Sequence, residues 1–346
     1  MSTAPDRTAP GSRRAVLAQA PALALAALLP VRPAGAVAPP TRPIFVLNSQ
    51  DADVSIVDPS SWAVRTRLPT GKEPHHLYLA PDDKTLIVAN AASNSLTFID
   101  PVTAAVRRTL PGIVDPYHLR FSPDMRWFVT AANRLDHIDL YHWQGVGAPE
   151  PLKLVRRIAA PKTPSHLAID SGSRVLYATL QDSDEWVAID MTTQAVRVKQ
   201  RCGRMPADVF LAADDRTLLV ALTGDRVVEA WDVSAAVPRL VRRIETGAGA
   251  HAFRARGDGR HVFVSNRVAN TISEIDLRTL SVVGQWDAPG GPDCMELMAD
   301  GRTLLVTSRW ARKLSVIDLP DKRLVRQVPV GRSPHGVWTL DHAPRQ

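Results

Sequence analysis

A short phrase, Gly71-Lys72-Glu73-Pro74-His75-His76-Leu77, returns throughout the chain in altered form and constrains its fold more than any other feature. Later versions are centred on Pro116, Pro164, Pro206, Ala250, Pro292 and Pro334, at steps of 42, 48, 42, 44, 42 and 42 residues. A fixed period of this size marks a repeat architecture whose units bury their faces against one another. The 346 residues therefore read as one array, where length alone would suggest two or three domains.

Each unit has the same grammar. The first reads Ile44 to Asn48, Asp53 to Asp58, Ala63 to Leu68 and then His75 to Ala80, four short runs rich in β-branched side chains and bounded by turn formers. An aspartate closes the third-quarter run at Asp58, Asp100, Asp190, Asp232, Asp276 and Asp318. Turns such as Pro81-Asp82-Asp83 and Asp258-Gly259 precede a basic residue, Lys84, Arg126, Arg174, Arg216, Arg260 or Arg302, which reads as a solvated edge position. No stretch after residue 43 keeps a helical apolar period.

Seven four-stranded antiparallel units of even length predict an all-β, seven-bladed β-propeller over residues 44–341. The array begins on the second strand of a unit and ends on a first strand, so the C-terminal strand is expected to complete the first blade. The third unit carries an extra Tyr141-to-Pro149 segment, expected as a longer connection between outer strands.

The N-terminus reads differently. Ser12-Arg13-Arg14-Ala15-Val16-Leu17 opens an alanine-rich apolar run to Val31, followed by Ala34-Gly35-Ala36, the pattern of a twin-arginine export signal over residues 1–36. Residues 37–43 are an extended, proline-rich leader. The run is short and broken by Pro21 and Pro30, so the mature chain is expected to lack a transmembrane segment and to be periplasmic or secreted, as a monomer. Cleavage after Ala36 lowers the formal charge from +7 to +4. That mild balance gives no indication of nucleic-acid binding. Cys202 and Cys294 fall in different repeats and are expected as free thiols.

Gly331 to Val337, Leu86 to Asn90 and Ser315 to Asp318 carry phrases by which residues 42–341 resemble the YVTN-repeat β-propellers. That family is similar in turn to the cytochrome d1-like, haem-binding propeller of periplasmic nitrite reductases. The resemblance implies the fold; function must come from a site.

Strand alternation gives the recurring phrase two registers. One holds His75, Tyr117, Ser165, Ala207, His251, Asp293 and His335, and the other holds His76, His118, His166, Asp208, Ala252, Cys294 and Gly336. His76, His118, His166 and Asp208 form one set of three imidazoles and a carboxylate, and His251, Asp293, His335 and His75 form another. Such sets suit Zn, Cu, Fe or Ni, and converging imidazoles also suit a haem. The plain alternative is that each imidazole ties one blade to the backbone of the next.

Arg309 and Arg312, with Arg134, Arg267, Lys72, Arg204 and Arg332, are expected on the same mouth, where they would favour an anionic small ligand or a protein partner. Trp310 between them is a candidate surface contact. No nucleophile elbow, phosphate loop or Cys-x-x-Cys-His is present, which argues against serine hydrolases, nucleotide-dependent enzymes and c-type cytochromes. Three readings follow: a binding or assembly protein, a metal- or haem-dependent redox protein, or a metal-assisted lactonase-type hydrolase.

Overall fold

The computed structural model describes residues 42–345; the segment expected as an export signal and most of the expected leader lie outside them. The chain forms seven four-stranded antiparallel sheets, the blades of a propeller. Numbering blades by their inner strands, blade 1 has Pro334–Thr339, blade 2 Pro74–Leu79, blade 3 Pro116–Phe121, blade 4 Pro164–Ile169, blade 5 Pro206–Leu211, blade 6 Ala250–Ala255 and blade 7 Pro292–Leu297. Blade 1 is closed as expected: Pro334–Thr339 pairs with Ile44–Asn48, which leads outward to Asp53–Val57 and Val64–Pro69. The long connection of blade 3 joins His137–Trp143 to Leu152–Ala159.

The recurring polar landmarks act within blades. Asn48, Asn90 and Asn266 end second strands and donate from Nδ2 to hydroxyls on the third, Asn90 reaching Ser95 at 3.2 Å and Thr97 at 2.9 Å. Asp100 and Asp190 accept two backbone N–H groups each, Asp190 from Thr192 and Thr193, capping the turn to the outer strand. The basic residues after the turns lie at the rim as expected, with Arg216, Arg260 and Arg302 paired to Asp232, Asp276 and Asp318.

Middle strands are buried on both faces and pack blade against blade. Trp338 in the closing strand is 1% exposed and meets Phe45 at 5.9 Å between ring centroids. Trp338→Ala is expected to cost about 3–5 kcal/mol by chemical denaturation, because the cavity it leaves lies in the closing blade. Trp310, 57% exposed, is expected to cost under about 0.5 kcal/mol on the same change.

Simple alternation fails at the head of each inner strand. In blade 2 Pro74 faces Asn90 and His76 faces Ala89, two residues advancing against one, and in blade 3 Pro116 and His118 do the same against Ala132 and Ala131. The other blades carry the same one-residue bulge. The residue before it is left-handed in every blade: Glu73, Asp115, Thr163, Met205 and Ser333, with Gly249 and Gly291 in blades 6 and 7. A bulge re-aims the side chain it displaces. His75 and His76 consequently face the same channel with ring centroids 4.9 Å apart, where plain alternation would turn adjacent residues to opposite faces.

A histidine-lined channel as the candidate functional site

Six imidazoles meet inside the ring. Two levels follow the two registers, and both are largely buried: His75 is 2% exposed, His251 4%, His335 0% and Asp293 0%. The expected open mouth is thus a packed interior.

At the level nearer the loops between second and third strands, Asp293 is the centre. Arg267 reaches its Oδ1 at 2.8 Å and Arg309 its Oδ2 at 3.2 Å, while His251 Nε2 lies 2.9 Å from Oδ1. Burial alone would raise the Asp293 carboxyl; the guanidinium of Arg267, with His335 and His251, holds it well below the usual carboxylate range. His335 donates from Nδ1 to the His75 carbonyl oxygen at 2.9 Å, which leaves the Nε2 lone pair 3.6 Å from Asp293. The His335 ring stacks on His75 at 3.6 Å between centroids. His251, Asp293 and His335 thus converge with their ligand atoms within 4.8 Å of one another, whereas His75 groups with His76 and His335.

At the second level no arginine stands among the converging ligand atoms, although Arg120 lines the same cavity. His76, His118 and His166 bring one nitrogen each to within 4.8 Å of one another, and their rings lie 4.5 to 4.9 Å apart. His76 Nε2, His118 Nδ1 and His166 Nε2 are buried with no hydrogen-bond partner. Ser165 Oγ contacts His166 Nδ1 at 3.0 Å, orienting the ring so that Nε2 faces the channel. Burial depresses His76 and His118 well below the ordinary imidazole value and lowers His166, so all three are neutral lone-pair donors at neutral pH.

Asp208 stands apart from the group predicted for it. Its Oδ1 accepts the Val209 N–H and its Oδ2 the Phe253 N–H, each at 2.8 Å, stitching blade 5 to blade 6. It still lines the same cavity, a space of about 150 Å³. Cys294 lies there too, with Sγ 3.4 Å from His335 Nδ1; burial, then the Asp293 charge, pushes its thiol well above the usual value and keeps it protonated. Both cysteines are free thiols.

The expected arginine rim is largely neutralised. Arg134 pairs with Glu73 and Asp115, Arg204 with Asp225, and Arg332 with Asp51, while Arg267 and Arg309 hold Asp293. Arg312 is exposed and belongs to none of the clusters. A surface cleft of about 750 Å³ on the loop face mixes Asp51, Asp53 and Glu73 with Arg67, Lys72 and Arg332, so its charge selects no one sign of ligand.

Sequence reasoning missed the tail end of the channel. Four residues after each motif proline come Tyr78, Arg120, Ala168, Phe210, Arg254, Glu296 and Trp338. Charges at three of these inner-strand positions were the signal. Arg254 donates to Glu296 at 2.6 Å and to the carbonyls of Ala343 and Pro344, and Arg345 also pairs with Glu296, so the C-terminal residues close this end.

A seven-bladed propeller with polar groups converging on its axis is the class that fold and site define. The chain belongs to the YNCE-like beta-propeller family, whose pattern it matches over residues 4–345. No curated protein sequence matches it significantly. Among solved structures it is similar to the periplasmic gluconolactonase PpgL of Pseudomonas aeruginosa, at 19% identity over 86% of this chain and 98% of that one, with a TM-score of 0.70. It is also similar to the dihydro-heme d1 dehydrogenase NirN in complex with DHE, at 18% identity over 90% of this chain and 78% of that one, TM-score 0.65. A functionally unknown protein from Desulfotomaculum acetoxidans DSM 771 superposes at TM-score 0.74, with 14% identity over 88% and 99% of the two chains. At these identities the likeness is one of fold. No helix among the described residues is long and apolar enough to cross a membrane.

Proposed function

We propose that this is an exported metal-binding propeller, in which His76, His118 and His166 hold a divalent transition-metal ion on the channel axis. The carrying observation is the set of three buried, unpartnered imidazole nitrogens within 4.8 Å of one another. An orphaned buried acceptor costs about 1–3 kcal/mol, and three of them aimed at one point are most simply relieved by one cation. Small ring rotations bring such nitrogens to the 2.0–2.1 Å that zinc takes, leaving a fourth position open. Imidazole donors suit Zn, Cu, Ni or Fe and disfavour Mg and Ca.

Geometry weighs against the alternatives. A cavity of about 150 Å³ is smaller than the 300–1,000 Å³ of ordinary cofactor and substrate pockets, so neither a haem nor a sugar lactone has room beside these histidines. His251, Asp293 and His335 are the weaker cation site, because the guanidiniums of Arg267 and Arg309, 2.8 and 3.2 Å from the carboxylate, would repel a cation there. Export through the twin-arginine route accords with a protein that folds around its metal before crossing. Purified from its exporting host, the protein is expected to carry one metal per chain by elemental analysis. The His76→Ala, His118→Ala double variant should carry none while keeping its β-sheet circular dichroism. A wild-type preparation that holds no metal and takes up neither Zn²⁺, Cu²⁺ nor Co²⁺ would refute the reading.

A further inference from the structure

Building on that metal reading, we infer that the open coordination position takes a small oxyanion shared between the metal and Arg120. Arg120 lies two residues beyond His118 on the inner strand of blade 3, past the bulge, so both side chains face the channel. Arg120 lines the same cavity as His76, His118 and His166, and its charge is felt by both His118 and His166.

Arg120 is distinguished from Arg254 by two free terminal amino groups. Its Nε donates to the Leu167 carbonyl at 3.0 Å and its Cζ lies 5.9 Å from the Tyr78 ring centroid, which together fix the guanidinium plane. Its two terminal amino groups make no hydrogen bond among the described residues. Arg254, in contrast, gives both terminal groups and Nε to Glu296 and to carbonyls of Ala255, Ala343 and Pro344. Arg345 is held on Glu296 by one terminal group, with its Nε left unpartnered among the described residues. A guanidinium anchored at one edge and free at the other is a fork for an oxyanion.

Charge and size point the same way. With neutral imidazoles, a divalent ion and Arg120 bring about three positive charges to the cavity, whose other charged lining groups, Asp208 and Glu296 against Arg254 and Arg345, offset one another. Room of about 150 Å³ corresponds to a few water molecules or one anion of roughly three to five heavy atoms, such as formate, acetate or carbonate. One oxygen would bind the metal and the other would accept from Arg120.

The test uses Co²⁺-loaded protein, with its visible bands as a report on the metal, and formate as the probe. Formate is expected to change those bands saturably. In Arg120→Met, Co²⁺ uptake should be unchanged while formate binds at least about tenfold more weakly, the loss of one charge-assisted contact. Arg120→Lys, which keeps the charge and cannot form the fork, should fall between them and guards against a folding defect in the methionine variant. If Co²⁺ binds but the bands ignore formate, or the three proteins bind it equally, the inference is wrong and the metal reading stands. If no Co²⁺ absorption develops, the metal reading fails and takes this inference with it.

Discussion

The metal-free protein is expected to lose on the order of 4 kcal/mol of stability per pH unit as the pH falls below about 6.5, and to unfold cooperatively in mild acid. The cause is the six channel histidines, His75, His76, His118, His166, His251 and His335, each with its pKa lowered, chiefly by burial. His251 is taken down to about 4, with the Arg267 charge adding to burial.

The sign follows from linkage. In the unfolded chain an imidazole binds a proton near pH 6.5, and in the folded channel it binds one only at much lower pH. Between those values the unfolded state holds more protons, so acid favours it; above about 6.5 both states are neutral and stability is flat. Each such group contributes about 1.4 kcal/mol per pH unit, so three responding together suffice for the stated slope. Urea midpoints measured from pH 8 to 4.5 would show a plateau and then a steep fall. A flat profile to pH 4.5 would mean that water or a hydrogen bond reaches these rings in the folded state. Saturating Zn²⁺ should move the fall to lower pH, because metal and proton compete for the same lone pairs.

Fold was legible in the sequence because the device that builds it is local and repeated. A proline every forty-odd residues, an asparagine ending the second strand and an aspartate ending the third each act within one blade, where neighbours in sequence are neighbours in space. Site residues were legible as types and only partly as arrangements. The bulge at Pro74–His76 depends on a left-handed Glu73 and on pairing with Asn90, and neither can be read from Pro-His-His. For the same reason Asp208 looked like a fourth ligand. Its use as an acceptor for Phe253 arises only when blade 6 is laid beside blade 5. Arg267 and Arg309 were visible as rim charges, but their convergence on Asp293 needs two loops and an inner strand from two blades closed round one axis.

Asp293 therefore carries the second large effect. It is fully buried, and Arg267 and Arg309 have side chains only 18% and 28% exposed, so the carboxylate is the counter-charge for two poorly solvated guanidiniums. Breaking a buried ionic group by removing one partner costs about 3–5 kcal/mol, because the charge left behind is uncompensated. Asp293→Asn, close to isosteric, is expected to lower unfolding free energy by that amount, and Asp293→Asn with Arg267→Met and Arg309→Met should recover most of it. Equal stability of the single variant and wild type would mean that solvent already screens both arginines. The same variant also discriminates between the two candidate cation sites. Metal retained in Asp293→Asn and lost in His76→Ala, His118→Ala assigns the ion to the level of His76, His118 and His166. The reverse result would move it to His251, Asp293 and His335, where the two guanidiniums would have to swing away before a cation could enter.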